Sequence, residues 1–573
     1  MEKSWVYRWL FASPNSRGGI FWLGLSIAVA VVYGILGYTE AFPDTYVVQD
    51  DARQHVFWMQ RWLDPELFPN DVIADYFQSV APSGYSKFYQ GFVYLFGVDP
   101  FLLNKLLPLI LAAIATFYAF RFTCEMFPIP LAGFLGTLLL NLSLWMKDDI
   151  SSATPRAFVY PLFLAFLYYF SRKALFPCLI AIALTGLFYP QYIFVEGGII
   201  TLAMLFYRRW YIFYSTGLAV VLLVIAAYAF KSSAYDPTIS LEYAKSLPEF
   251  WDDGRSAFFD RDWVDFWIKD GRSGFFPEDM PTMVWLSVLL PVLWQFPKSF
   301  PLVQKMTNNV AILPQIIVAG FGWFFLAHAL LFRLHLPNRY TTHGLRIVMA
   351  LAAGMAIAIL IDRIFQWQRN RRGGWLVGKY TVVFSLLAAI VFHYPLFLQD
   401  LPKMGYEVGE ATQVYRFFQQ QPRDITIASI AEEANNLPSF SQRSILVGRE
   451  YAIPYQLGYY QPFRQKAIAT VQAQYTMELS TLQTFIRDRQ ISFWLLHRSA
   501  FIPEYIDDHE WLQGFLTDDF PDDAFVQTVK TAMANLKTGK IPAIAQTIDK
   551  CSQLETDRFF ILDAGCIANL ETD

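Results

Sequence analysis

The sequence predicts an α-helical polytopic membrane domain over residues 1–399, followed by a C-terminal extracytoplasmic α/β domain over residues 400–573. Three observations lead there. The chain of 573 residues is 55% hydrophobic and only 16% charged, and its mean hydropathy of +0.30 suits lipid better than water. Apolar runs of about 20 residues recur up to roughly position 400, each long enough to cross ~30 Å of hydrocarbon as a helix. Beyond that point the apolar runs shorten to strand length and alternate with amphipathic stretches.

Taken in order, the candidate spans are 18–38, 101–120, 129–146, 157–170, 174–189, 191–206, 211–230, 282–296, 310–331, 344–362 and 375–396, about eleven crossings. The first is longer than a signal-peptide core and lacks a small-residue cleavage site, so it reads as a retained span. The pair around "FYPQYIF" could be one broken helix, and 282–296 could lie in the interface. Lys and Arg set the orientation, because positive residues near span ends stay in the cytoplasm. With the N-terminus inside, Arg121, Arg172, Lys173, Arg208, Arg209, Lys298, Lys305 and the "DRIFQWQRNRRGG" loop share one side. The expectation is a multi-pass plasma (inner) membrane protein with a cytoplasmic N-terminus and an outer tail.

In the tail, "DITIASI", "RSILVG", "ISFWLLH" and "FFILDAG" read as buried strands, and "GEATQVYRFFQQQ", "LSTLQTFIRDRQ" and "PDDAFVQTVKTAMANLKTG" as helices. Cys551 and Cys566 lie there, where bonding is permitted, but spacing alone leaves a disulfide open. His497 and His509 sit among scattered acids with no recognisable nucleophile and base, so the tail is expected to shape acceptor access or contact a partner and not to be the chemical centre. The 53 Phe, 31 Tyr and 17 Trp suit interfacial belts and grooves for membrane lipids. No basic tract, zinc spacing or nucleotide fingerprint is present, so no nucleic-acid partner is expected.

Three polar clusters fall on the side opposite the basic loops: "QDDARQH", "KDDISSATPRAF" and "LPNRYTTHG". Asp50 and Asp51 could be a solvated loop, Asp148 and Asp149 the polar end of a span, and Arg156, Arg339 and His343 interfacial anchors. Their shared side argues otherwise. After the first pair, His55, Trp58, Met59 and Trp62 recur at helical spacing, which places the carboxylates at the start of an amphipathic helix along the interface. Fixed carboxylates at a membrane surface suit a general base, a metal site, or both. Trp263, Phe266 and Trp267 in "FFDRDWVDFWIKDGRSGFF" suggest a second interfacial helix bordering a lipid groove.

"DDARQHVFWMQRWL" resembles the first outer-loop motif of the GT-C superfamily of polytopic glycosyltransferases, in which an acidic pair, a small residue and Arg open an interfacial helix. The second acidic pair is similar to that of oligosaccharyltransferase catalytic subunits, though its two residues are adjacent and not separated by one. The WWD acceptor signature is absent; "FWDDG" lies in a middle loop. The resemblance implies a GT-C-like fold, as in transferases of the oligosaccharyltransferase, aminoarabinose-transferase or protein mannosyltransferase type. It also implies a polyprenyl-(pyro)phosphate-linked sugar donor and a glycan, lipid or protein acceptor. By position, Asp50 becomes the catalytic base or metal-contacting carboxylate with Asp51, in the place usually held by Glu, assisting it, and Arg339, with Arg156 and His343, becomes the holder of the donor phosphate. Asp50, Asp148 and Asp149 would contact a divalent cation, Mg or Mn.

Two other classes compete. A scaffold with a partner-binding tail would leave the acidic pairs dispensable. A transporter or flippase would show repeats and charges at mid-membrane depth, whereas here the charges gather at one face.

Overall fold

A computed structural model of the chain describes residues 5–230, 233–367, 375–398 and 401–571. The basic loop at Arg369 to Arg372, on which part of the orientation rests, lies outside the described residues. Helices stand at the expected spans: Arg17–Ala41, Pro100–Met126, Pro130–Trp145, Val159–Ser171, Leu175–Phe188, Ile193–Phe206, Tyr211–Ala229, Ile312–Ala329, Thr342–Trp367 and Trp375–Ala388. The exception is 282–296, which breaks into a 3-10 turn, Thr282–Val288, and a six-residue helix, Leu289–Trp294. The "FYPQYIF" pair forms two helices separated at Tyr189 and a 3-10 turn over Pro190–Tyr192.

Among the described residues, five helices are both long and apolar enough to cross a membrane. The others are shorter: Pro130–Trp145 has 16 residues, about 24 Å at 1.5 Å per residue. Every residue of that helix is buried, packed among Arg17–Ala41, Pro100–Met126 and Thr342–Trp367. It opens with Pro130 at its first position, where a missing N–H costs nothing, and it hands Lys147, Asp148 and Asp149 to the loop at its far end.

The tail holds a five-stranded mixed sheet. Its strands are β3 (Thr426–Ala428), β4 (Ser444–Ile445), β5 (Phe493–His497), β6 (Ser552–Glu555) and β7 (Phe559–Asp563), in the order β4-β3-β5-β7-β6. β3 runs parallel to β4 and β5, while β7 is antiparallel to β5 and β6. The expected strands and helices are all present; β6 and a helix over Leu457–Tyr475 were not expected. Cys551 and Cys566 are bonded, with Cα atoms 5.6 Å apart, and closing so short a loop contributes about 3 kcal/mol.

One long-range pairing positions everything that follows. β1 (Val47–Gln49), after the first span, pairs antiparallel with β2 (Tyr406–Val408), where the tail begins. Immediately before β2, Gly405 has φ +63°, and a Cβ there would stand 3.1 Å from Asp148 Cβ and 3.2 Å from Gln49 Nε2. Only glycine fits this close approach without strain. The Gly405 carbonyl accepts the Asp50 N–H at 2.8 Å, and the Met404 carbonyl accepts the Ser151 hydroxyl at 2.9 Å. The start of the tail thus ties the two acidic loops together.

Three local expectations need correction. Residues 52–62 form one turn of helix, Ala52–His55, and a 3-10 turn, Phe57–Trp62, not one amphipathic helix lying free on the interface. The tail roofs it: Phe57 is fully buried, its ring 5.5 Å from Tyr451 and 5.4 Å from Phe68, a burial that contributes about 1.5–3 kcal/mol. Residues 258–276 hold only a π turn, Asp265–Lys269, so Trp263 stays exposed while Trp267 packs 4.6 Å from His328. Finally, two unexpected helices, Val72–Val80 and Ser83–Phe96, follow the first loop; Asp71 caps the first by accepting the Ile73 and Ala74 N–H groups.

Candidate functional site

The two acidic pairs meet at Arg156. Its Nη2 lies 2.6 Å from Asp51 Oδ2 and 2.6 Å from Asp148 Oδ2, and its Nη1 lies 3.6 Å from Asp149 Oδ1. Pro155 starts the 3-10 turn Pro155–Phe158 that aims this arginine back along its own loop. The loop is anchored from beneath: Asn104 donates to the Ser152 carbonyl at 2.6 Å and the Tyr89 hydroxyl to the Ala153 carbonyl at 3.0 Å. Sequence reasoning brought Asp50, Asp51, Asp148, Asp149 and Arg156 to one side, and the structure brings them into one cluster.

Asp149 and Asp50 also have partners that the sequence did not reveal. Asp149 is buried and accepts from Arg346 Nη1 at 2.9 Å and the Tyr160 hydroxyl at 3.1 Å. Asp50 pairs with Arg53, whose Nη1 donates to Asn436 at 3.0 Å and whose Nη2 lies 3.3 Å from Glu450. Glu450 also pairs with Arg255 at 3.1 Å and takes Gln54 as donor. Arg346 did leave a signal, an arginine inside an otherwise apolar helical run, which demands a partner. Glu450, in a soluble-looking tail, left none.

Electrostatics separates the two pairs. Burial pushes the Asp51 carboxyl up to about 6, with Asp148, Asp50 and Glu450 adding to the rise and Arg156 opposing it. Asp149 is more deeply buried, yet Lys147, Arg346 and Arg156 hold it well below the usual carboxylate range. Burial, helped by Arg156, pushes His55 down to about 4, so it is neutral near pH 7.

Arg339 and His343 stand at the same end of the bundle. His343 is buried against the rings of Tyr160, Tyr189 and Tyr192, at 5.1, 6.2 and 5.5 Å. Neither of its ring nitrogens, nor Arg339 Nε, has a hydrogen-bond partner among the described residues. Asp50, Arg53, Arg255, Glu407, Glu450 and Tyr505 line a polar cleft of about 650 Å³ between the first loop and the tail.

The carboxylates expected to share a cation each face a guanidinium. Among the described residues no group of three His, Cys, Asp or Glu side chains is placed to hold a metal ion. As arranged, the donor set does not fit a divalent cation, because Arg156 stands between Asp51 and Asp148.

The arrangement, a bundle of apolar helices whose polar loops at one end lie under an α/β domain, has counterparts among solved structures. In particular, the chain is similar in fold to crystal structures of the Archaeoglobus fulgidus oligosaccharyltransferase. The form tethered with an acceptor peptide matches at TM-score 0.54 and 11% identity over 89% of this chain and 72% of that one. The apo form matches at 0.50 and 13% over 91% and 73%, and the complex with Zn and sulfate at 0.52 and 10% over 87% and 70%. No protein-family model matches the chain, and no curated protein matches it in sequence.

Proposed function

We propose that this membrane protein is a glycosyltransferase that moves a sugar from a polyprenyl-(pyro)phosphate-linked donor to an acceptor on the extracytoplasmic face. One observation carries the reading: Asp51 from the first acidic pair and Asp148 and Asp149 from the second converge on Arg156 at one end of the helical bundle. In this reading an acceptor hydroxyl enters through the cleft beside Asp50 and attacks the anomeric carbon. The carbon–oxygen bond to the donor phosphate breaks, and the phosphate leaves with the electron pair. Asp51, raised to about 6, takes the acceptor proton, since a base works best with a pKa near the operating pH. Asp50, steered by Arg53, orients the acceptor. Arg156, Arg339 and the unpartnered His343 receive the donor phosphate. The tail roofs the site and shapes access.

The test uses the purified full chain in nanodiscs with a panel of polyprenyl-phosphate sugars as donors. Sugar transfer that vanishes in Asp50→Asn and Asp51→Asn while folding persists supports the reading. Transfer by both variants at the wild-type rate moves the scaffold reading to first place. For orientation, single cysteines at Asp44 and Arg339 are expected to label from the extracytoplasmic side; labelling from opposite sides sinks both the topology and the site.

A further inference from the structure

We propose that Arg156 is a built-in cation, occupying the position that a divalent metal ion would take between the two acidic pairs, so that a donor phosphate meets a guanidinium and not a metal. The chemical meaning of this step rests on the transfer-site reading, whereas the metal-binding behaviour that tests it does not.

Three observations converge. Arg156 Nη2 is 2.6 Å from one oxygen of Asp51 and 2.6 Å from one of Asp148, so those oxygens are at most twice that, 5.2 Å, apart. A small divalent ion binds oxygens at about 2.0–2.1 Å, so the nitrogen stands about half an ångström from metal-bonding distance to both. Second, Asp149 Oδ1, in a residue 4% exposed, has no hydrogen-bond partner among the described residues and lies 3.6 Å from Arg156 Nη1. It is a third carboxylate oxygen beside the same guanidinium, facing its other terminal nitrogen. Third, Asp51, Asp148 and Asp149 face the two guanidiniums of Arg156 and Arg346. Without Arg156, Arg346 would balance one of these carboxylates and leave a deficit matching one divalent ion. In the wild type a metal would have to expel a side chain that is only 15% exposed and strand its charge, which is strongly unfavourable.

The full chain in nanodiscs is titrated with Mn2+ alone, and the free ion is read by electron paramagnetic resonance. The wild type is expected to take up no stoichiometric Mn2+. Arg156→Ser is expected to gain one site, on the order of 100-fold tighter than wild type, as three carboxylates become free to ligate. Adding Asp149→Asn to Arg156→Ser should abolish that site. Stoichiometric Mn2+ binding by the wild type that is lost in Asp51→Asn overturns the proposal. So does a folded Arg156→Ser chain that binds none. If Arg156→Ser does not fold, the wild-type titration still decides, with Arg156→Lys expected to stay metal-free. Transfer that survives EDTA agrees with the proposal. Absence of transfer with every donor would defeat the function reading and leave the Mn2+ result standing.

Discussion

Asp50–Asp51 and Asp148–Asp149 are the same dipeptide in two settings. The first pair sits in a loop held from above by the tail, with Arg53 taken by Asp50 and one shared guanidinium left for Asp51. The second caps a fully buried helix, and Asp149 has Arg346, the Tyr160 hydroxyl and the edge of Arg156 to itself. Burial penalises both charges, but only at Asp149 do the partners more than repay it, so one acid is driven up to about 6 and the other well down. Identical residues thus differ in charge: one carboxyl is pushed toward its neutral form and the other is held as an anion.

The largest effect that would sharpen this contrast is Asp51→Asn, which should lower transfer about 10²- to 10⁴-fold, the usual loss for a positioned base, with thermal unfolding near wild type. Wild-type transfer should also fall as pH drops through about 6, because Asp51 then holds its proton; a rate flat from pH 5 to 8 would remove it as the base. Next, Arg346→Met strips the buried Asp149 of its main partner and should cost about 3–5 kcal/mol of stability, read by thermal unfolding. Asp149→Leu added to it should recover much of that loss, and no recovery would mean that the pair is not what stabilises the loop. Gly405→Ala, at φ +63° and against Asp148 Cβ, should cost about 1–2 kcal/mol and lower transfer without changing the pH midpoint. Asp44→Asn, exposed in the same loop, should stay within ±0.5 kcal/mol with unchanged transfer; a large loss there would break the contrast between paired and solvated acids.

How much of this could be read in advance follows the range of the forces involved. Helical spans are local properties of apolar runs, so nearly all stand where expected, and 282–296 is the exception, with Pro291 removing one ladder N–H inside it. The tail strands are short apolar runs bounded by polar residues and were equally legible. The cluster itself was legible only as a shared side. Its geometry depends on pairings between distant segments, such as Val47–Gln49 with Tyr406–Val408 and Arg53 with Glu450, and no local pattern encodes these. The amphipathic spacing of His55, Trp58 and Met59 was real but misleading: Trp58 and Met59 are buried because protein, not lipid, covers them.

The ribbon between Val47–Gln49 and Tyr406–Val408 also sets a clock. Its second strand is translated roughly 350 residues after the first, which at 5–20 residues per second is about 20–70 s. Throughout that interval the first strand is an unpaired edge beside an unfinished acidic loop, and the bundle has to be inserted and packed with its site still open. The ribbon is therefore a late latch in biogenesis: a ribosome that stalls before Tyr406 leaves the strand beside the first acidic loop without its ladder partner.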